Sequence, residues 1–177
     1  KTLVNKLNGM SREELTKIIV NFYRTNRAVE EGLSFMILGE EYGNALLEKY
    51  KKRLYKIFNP INPAKADFSL ESAQKVLSDF TDACAGDSGR WYGDLALYFA
   101  ECATDFTMSY GDIDGEFYDA LGDAYHDAVV IASSDEQLYQ LWKDRLAAIF
   151  HAFSGFGWGM DGFIAGEYHA LPWIEEE

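Results

Sequence analysis

The amino-acid sequence predicts an all-α protein, and three features of the chain support this fold class. Apolar residues recur at helical spacing along most of the 177 residues. The alternation of β-branched and polar residues that is typical of strands is nearly absent. Only three prolines interrupt the chain, and a proline inside a helix would break it. We therefore expect about seven helices, joined by short loops into antiparallel helical hairpins.

The first predicted helix covers residues 11–38. It begins with a capping box, in which the Ser11 hydroxyl and the Glu14 carboxylate satisfy backbone N–H groups, and it ends at Gly39. Asn26 is the one polar member of a seam with four-three spacing, formed by Leu15, Ile19, Phe22, Asn26, Val29, Leu33 and Met36. A lone polar residue on such a seam fixes the register of a coiled coil. The sequence favours the alternative, an intramolecular helix pair with a hydrogen-bonded asparagine.

The second predicted helix covers Glu40–Phe58 and has an apolar face and a basic patch. It ends before Pro60 and Pro63, because the proline ring removes the N–H that a helix needs. Its apolar face is formed by Leu46, Tyr50, Leu54 and Ile57. Its basic patch is formed by Lys49, Lys51, Lys52, Arg53 and Lys56. Such a patch binds phosphates or an acidic partner, although surface lysines are more often simply solvated.

Four further helices are predicted at residues 69–85, 90–110, 115–133 and 134–153, and a last helix follows a glycine-rich turn. The sixth helix begins at a second capping box, Ser134-Asp135-Glu136-Gln137. The fifth matches the first half of a tetratricopeptide repeat at Tyr118, Leu121, Gly122 and Tyr125, but the second half of the repeat does not follow. The sequence is therefore compatible with two arrangements of the helices: a compact bundle and a repeat-like, tetratricopeptide-like superhelix.

Charge divides the single predicted domain, residues 1–177, into two parts. Residues 1–60, a basic N-terminal helical hairpin, carry eleven Lys and Arg against seven Asp and Glu, which is a net +4. Residues 61–177, an acidic helical body, carry five against 22, which is a net −17. Repulsion between like charges makes binding of nucleic acid or an anionic membrane by the acidic body unfavourable.

Composition and hydropathy indicate a soluble, cytoplasmic protein. The chain is 48% hydrophobic and 25% charged, which is ordinary for a globular domain. No apolar run approaches the ~20 residues that span a bilayer, and no leader sequence opens the chain. Cys84 and Cys102 lie on apolar stripes outside any metal-ligand motif, so we expect two small buried side chains and no cofactor.

The stretch YGDIDGEFYDALGDAYHDA, residues 110–128, is the most site-like part of the chain. Asp112 and Asp114 resemble the start of a calcium loop. An EF-hand, however, needs glycine at its sixth position and glutamate at its twelfth, where this chain has Phe117 and Asp123. The sequence therefore favours an aspartate that caps the fifth helix.

A metal site on the fifth helix is the competing hypothesis for this stretch. Asp119, Asp123 and His126 share one helical face and, with Asp112 and Asp114, would offer carboxylate and imidazole ligands to a divalent metal. The chain has no Glu-x-x-His motif of the di-iron type. A solvated acidic face is the simpler interpretation of these residues.

Two further patterns do not predict a catalytic centre. Asp94, Glu101 and Asp105 share one face of the fourth helix, but carboxylates serve acid–base catalysis only where their environment shifts a pKa. The run GWGMDG, residues 157–162, fits G-x-G-x-x-G yet follows a helix instead of a strand. Its glycines permit a bend, with Phe156 and Trp158 placed in the core.

Four segments carry a family resemblance: SREELTKIIVNFYRTN, LLEKYKKRLYKIFNP, TDFTMSYGDIDGEFYDAL and GFGWGMDG. In this order they resemble an uncharacterised bacterial family, domain of unknown function 6155, over residues 11–168. The resemblance implies a small all-helical protein and no assigned activity or catalytic residue.

The sequence thus predicts a non-enzymatic helical module for protein interaction, with a protein partner or self-association through the basic hairpin. This hypothesis rests on the apolar stripes, the charge division and the lack of an assembled catalytic pattern. The alternative is a metal-binding protein or metal-dependent enzyme centred on the fifth helix.

Overall fold

The computed structural model describes residues 2–60, 68–84, 89–111, 113–157 and 159–174. These residues form nine helices and no strand, so the all-α prediction is confirmed. The expected number of about seven is too low, because Thr2–Asn8 forms a helix that was not predicted and residues 11–38 form two helices instead of one. The helices are α1 (Thr2–Asn8), α2 (Arg12–Thr25), α3 (Arg27–Leu38), α4 (Glu40–Phe58), α5 (Leu70–Ala83), α6 (Gly89–Tyr110), α7 (Gly115–Ser134), α8 (Glu136–Ala152) and α9 (Met160–His169).

The prediction of one continuous helix over residues 11–38 is wrong, because Asn26 divides it. Asn26 has an extended backbone, with φ −134° and ψ 111°, and its side-chain oxygen accepts hydrogen bonds from the N–H groups of Ala28 and Val29. A short amide side chain competes with the helical ladder for backbone donors in this way. Asn26 therefore ends α2 and caps α3, and it does not bridge a helix pair.

The capping box predicted at Ser134 is also wrong, since the cap lies one residue later. Ser134 is the last residue of α7, and its hydroxyl donates to the carbonyl of Ile131. Asp135 ends α7 and begins α8, where its carboxylate accepts from the N–H of Gln137 at 2.8 Å. The box at Ser11 is confirmed, with both reciprocal bonds to Glu14 present. The bounds of α4 agree with the sequence prediction.

The hydrophobic core is built around α6, which packs against α4, α5, α7 and α8. Its apolar face is fully buried at Leu95, Leu97 and Phe99. The facing helices contribute Leu54, Phe80, Leu121, Tyr125, Leu146 and Ile149. Both cysteines are buried in this core and are not joined by a disulfide, as the sequence predicts.

Small residues let α6 approach its neighbours closely. Gly93 is the tightest position, because a Cβ placed there would lie 2.8 Å from the ring of Trp142 and 2.9 Å from Ile131. Ala96, Ala100 and Ala103 continue the same buried stripe. Interhelical distance depends on the side chains at the contact, so this stripe sets how near α7 and α8 lie.

The glycine-rich segment after α8 makes the predicted bend. Gly159 has a φ of 77°, a conformation that glycine adopts without strain, and it precedes the first turn of α9. Phe156 packs against the core as expected, whereas Trp158 lies outside the described residues. None of the described helices combines the length and the apolar character that crossing a membrane requires.

Candidate interaction surface

Three of the five cations in the predicted basic patch pair with carboxylates of other helices. The Lys49 ammonium contacts Glu31 of α3, and the Lys51 ammonium lies 2.9 Å from Asp94 of α6. The Arg53 guanidinium donates to Asp79 of α5 at 2.7 Å. These residues therefore connect α4 to three neighbouring helices, a structural role that the sequence pattern did not indicate.

Glu31 is the most buried carboxylate of this region, with only 7% of its surface exposed. It accepts hydrogen bonds from Arg27 at 3.2 Å, from Lys49, and from the Tyr50 hydroxyl at 3.3 Å. Burial alone would raise the pKa of the Glu31 carboxyl, but the hydrogen bonds and charges of Lys49 and Arg27 outweigh it. The pKa therefore lies below its usual value, and Glu31 is a stable anion.

Asp79 and Tyr50 complete the ionic network on the α5 side. The hydrogen bond from Arg53 lowers the pKa of Asp79, with a smaller contribution from Lys75 at 3.2 Å. Burial, together with the nearby Glu31 charge, raises the pKa of Tyr50 to about 12. The main-chain carbonyl of Asp79 also lies 3.3 Å from the Tyr50 hydroxyl and shares its single proton with Glu31. Glu31 and Asp79 thus carry fixed negative charge, and Tyr50 stays a neutral donor.

These side chains line an open groove of about 990 Å³ between α3, α4 and α5. Lys52 and Lys56 also line this groove, and no ion pair joins either of them to another described residue. Because the other cations of the patch have internal partners, these two lysines are its best candidates for contact with an acidic partner.

Exposed apolar side chains occur on α1 and α2, together called the N-terminal arm below. No residue of either helix is buried. On α2, Ile19 is 50% and Phe22 is 53% exposed, and on α1 Leu3 is 70% exposed. The spacing of Leu15, Ile18, Ile19, Phe22 and Tyr23 places them on one face of α2. The part of the predicted seam that lies on α2 is therefore not buried within the chain.

The residues of the metal hypothesis are distributed over several roles. Asp114 caps α7, because its carboxylate accepts from the N–H of Phe117 at 2.9 Å, which confirms the capping interpretation for this residue. Asp119 and Asp123 are exposed. The His126 ring nitrogen Nδ1 lies 2.7 Å from Glu167 of α9.

Asp112, the fifth residue of that hypothesis, lies outside the described residues. Within the described ranges, no three histidine, cysteine or acidic side chains form a group of metal-binding type. Metal binding at this segment stays a prediction.

Two of the three carboxylates on the acidic face of α6 pair with a residue that the sequence pattern did not indicate. Arg145 of α8 donates to both Glu101 oxygens, at 2.6 and 2.8 Å, and to Asp94 at 2.7 Å. Planar guanidinium groups favour such bidentate contact. The pKa of Arg145 is raised because these carboxylates outweigh the effect of burial. Asp94 and Glu101 therefore hold α8 against α6.

Comparison with known proteins gives no match: no family model, no curated protein and no solved structure matches the chain. The bacterial family resemblance accordingly stays a prediction.

Proposed function

We propose that this protein is a non-enzymatic helical interaction module, and that its N-terminal arm binds a second copy of the same chain. One observation carries the proposal: α2 is strongly amphipathic, yet none of its residues is buried. An apolar helical stripe ordinarily faces a core or a partner. A partner that covers Ile19 and Phe22 would give this stripe the contacts that it lacks within one chain.

The energetics of a short helix support the same proposal. The 14-residue α2 contains three consecutive β-branched residues, Ile18, Ile19 and Val20, and such residues lower helix propensity. Isolated helices of about this length are marginal in water even when they are rich in alanine. A bound partner would stabilise α2, since burying an Ile or Phe side chain contributes roughly 1.5–3 kcal/mol relative to full exposure.

Charge favours a second copy as the partner. The arm carries four basic residues, Lys6, Arg12, Lys17 and Arg24, against the two acids Glu13 and Glu14, whereas residues 61–177 carry a net −17. Opposite charges steer association and raise its rate. The contacts of α6 with four other helices support a compact bundle. In this proposal the arm of one copy binds the acidic residues of the bundle of the other copy.

Light scattering across a series of concentrations and salt levels tests this proposal. We expect a dimer or larger oligomer at low salt, with weaker association as salt screens the charges. Substitutions Ile19→Ser and Phe22→Ser should each weaken association about fivefold, because each half-exposed side chain contributes about 1 kcal/mol.

The matched control is Val20→Ser. Val20 lies on the same helix and is also partly exposed, but its spacing places it away from the apolar stripe. It should leave association unchanged. A protein that stays monomeric at low salt and high concentration contradicts the proposal, and so does equal weakening by all three variants.

Metal binding around α7 is the second function that the sequence suggests, and the Asp114 substitutions described in the Discussion test it.

A further inference from the structure

A second groove, of about 530 Å³, lies between α4, α6 and α8. Its volume is in the range of small-molecule sites, which enclose about 300–1,000 Å³. The groove is separate from the N-terminal arm, because every lining residue comes from the segments 55–59, 98–110 and 148–152. Ala148 and Ala152 of α8 leave room at its floor.

Aromatic rings form much of the wall of this groove. Tyr55 and Tyr110 are 55% and 61% exposed, and Tyr98 and Phe106 are partly buried beside them. The face of an aromatic ring carries negative potential and attracts cations. The Lys51 ammonium lies 5.6 Å from the centre of the Tyr98 ring and already contacts it, so the more exposed rings of Tyr55 and Tyr110 are the ones that a ligand cation would contact.

Carboxylates of α6 add negative charge to the same groove. Tyr98, Glu101, Cys102 and Asp105 are spaced at i, i+3, i+4 and i+7, so they share one helical face. Arg145 pairs with Glu101. No ion pair joins Asp105 to another described residue, and Asp105 is exposed. The groove therefore contains one carboxylate whose charge the described residues do not neutralise.

Burial is the main influence on two ionisable groups in the wall of the groove. The pKa of the Cys102 thiol is raised to about 12, mainly by burial and to a smaller extent by the charges of Glu101 and Asp105, against a hydrogen bond with Tyr98 that lowers it. Burial likewise raises the pKa of Tyr98 to about 12, with contributions from Cys102 and Glu101. Cys102 is consequently a neutral thiol and is unsuited to act as a nucleophile.

We propose that this groove binds an organic ammonium group. Tyrosine faces together with one unneutralised carboxylate form the chemical environment that recognises quaternary and alkylated amines, and the volume suits a small compound. A free amine and a lysine side chain of a protein present the same group, so the ligand class is defined by that group.

The test is a titration of the full chain with tetramethylammonium chloride at constant ionic strength, in which NMR detects binding. Because the chain carries a net charge of −13, any cation will associate weakly with its surface, so matched variants are essential. Asp105→Asn and Tyr55→Ala should each weaken binding about threefold to fivefold. Asp119→Asn makes the same charge change on α7 and should leave binding unchanged.

Three further arms complete the experiment. Tyr55→Phe keeps an aromatic face and should retain binding. If it does, the weaker binding of Tyr55→Ala results from loss of the ring. Tert-butanol, a neutral compound of similar shape, should not bind. Nα-acetyl-lysine amide, which keeps the charged side-chain ammonium, serves as the second probe. Stronger binding of tetramethylammonium assigns the site to free quaternary amines. Stronger binding of the lysine derivative assigns it to a protein side chain.

The proposal is overturned if neither probe shows saturable binding. It is also overturned if Asp119→Asn weakens binding as much as Asp105→Asn, or if tert-butanol binds equally well.

Discussion

Substitution of Glu31 by glutamine should destabilise the protein by about 2 kcal/mol at neutral pH. The glutamine keeps the shape of the side chain and can still accept from Tyr50, so this bond is retained. It loses the charged contact with Lys49, which is worth about 1.5 kcal/mol, and the contact with Arg27. Arg27 is 70% exposed at its side chain, so solvent screening makes its contribution small.

The pH dependence of this effect follows from the lowered pKa of Glu31. A carboxylate whose folded pKa is depressed stabilises the protein above its unfolded pKa, and that stabilisation is lost as pH falls through the folded value. The difference in the free energy of unfolding between wild type and Glu31→Gln should therefore be largest at pH 7. It should become smaller as the pH falls below 4.5, the ordinary pKa of a glutamate. Urea unfolding midpoints of both proteins between pH 7 and pH 3 measure this difference.

Glu30→Gln is the matched control, because Glu30 is the exposed neighbour of Glu31 on α3. It should change the free energy of unfolding by less than about 0.5 kcal/mol. Equal destabilisation by the two variants, or a difference that does not depend on pH, would refute the assignment of Glu31 as the buried anion that joins α3 to α4.

Two further substitutions test the capping of α7 and the packing of α6. Asp114→Ala should cost about 1 kcal/mol, and Asp114→Asn much less, because a cap needs only an accepting oxygen. Unfolding midpoints should be the same with and without chelator; equal damage by both variants only without chelator would instead indicate a metal ligand. Gly93→Ala should destabilise by about 1–2 kcal/mol, because its methyl group would lie under 3 Å from Trp142 and Ile131. Gly166→Ala meets no neighbour within 4 Å and should stabilise α9; thermal melting that ranks the two glycine variants equally would contradict this packing.

Local signals in the sequence predict most helix ends well and two of them badly. Gly39 and the prolines after Phe58 bound α4 correctly, because glycine and proline act on the backbone at their own positions. Asn26 and Asp135 were misassigned, although both are residue types that favour caps. The seam spacing predicts one helix, since a cap inside a regular pattern does not interrupt the pattern. Residue type alone does not show that the side-chain oxygens of Asn26 and Asp135 accept hydrogen bonds from backbone N–H groups at these positions.

The composition of the candidate sites was visible in the sequence, but the partners of their residues were not. The five cations of α4 form a patch by spacing alone, and the i,i+4 spacing of Arg27 and Glu31 was available as a signal. Arg145 gave no such signal, because its partner Glu101 lies 44 positions away. The contact between His126 and Glu167 spans 41 positions for the same reason.

The sequence by itself determined the all-helical class, the position of α4, the burial of both cysteines and the cap at Asp114. Each of these depends on the periodicity of apolar residues or on interactions within one or two turns of a helix. Only the tertiary structure decided which charges are paired and which apolar face stays exposed. Lys49 and Lys51 became internal partners while Phe22 stayed exposed, because burial and ion pairing depend on how helices that are distant in sequence pack together.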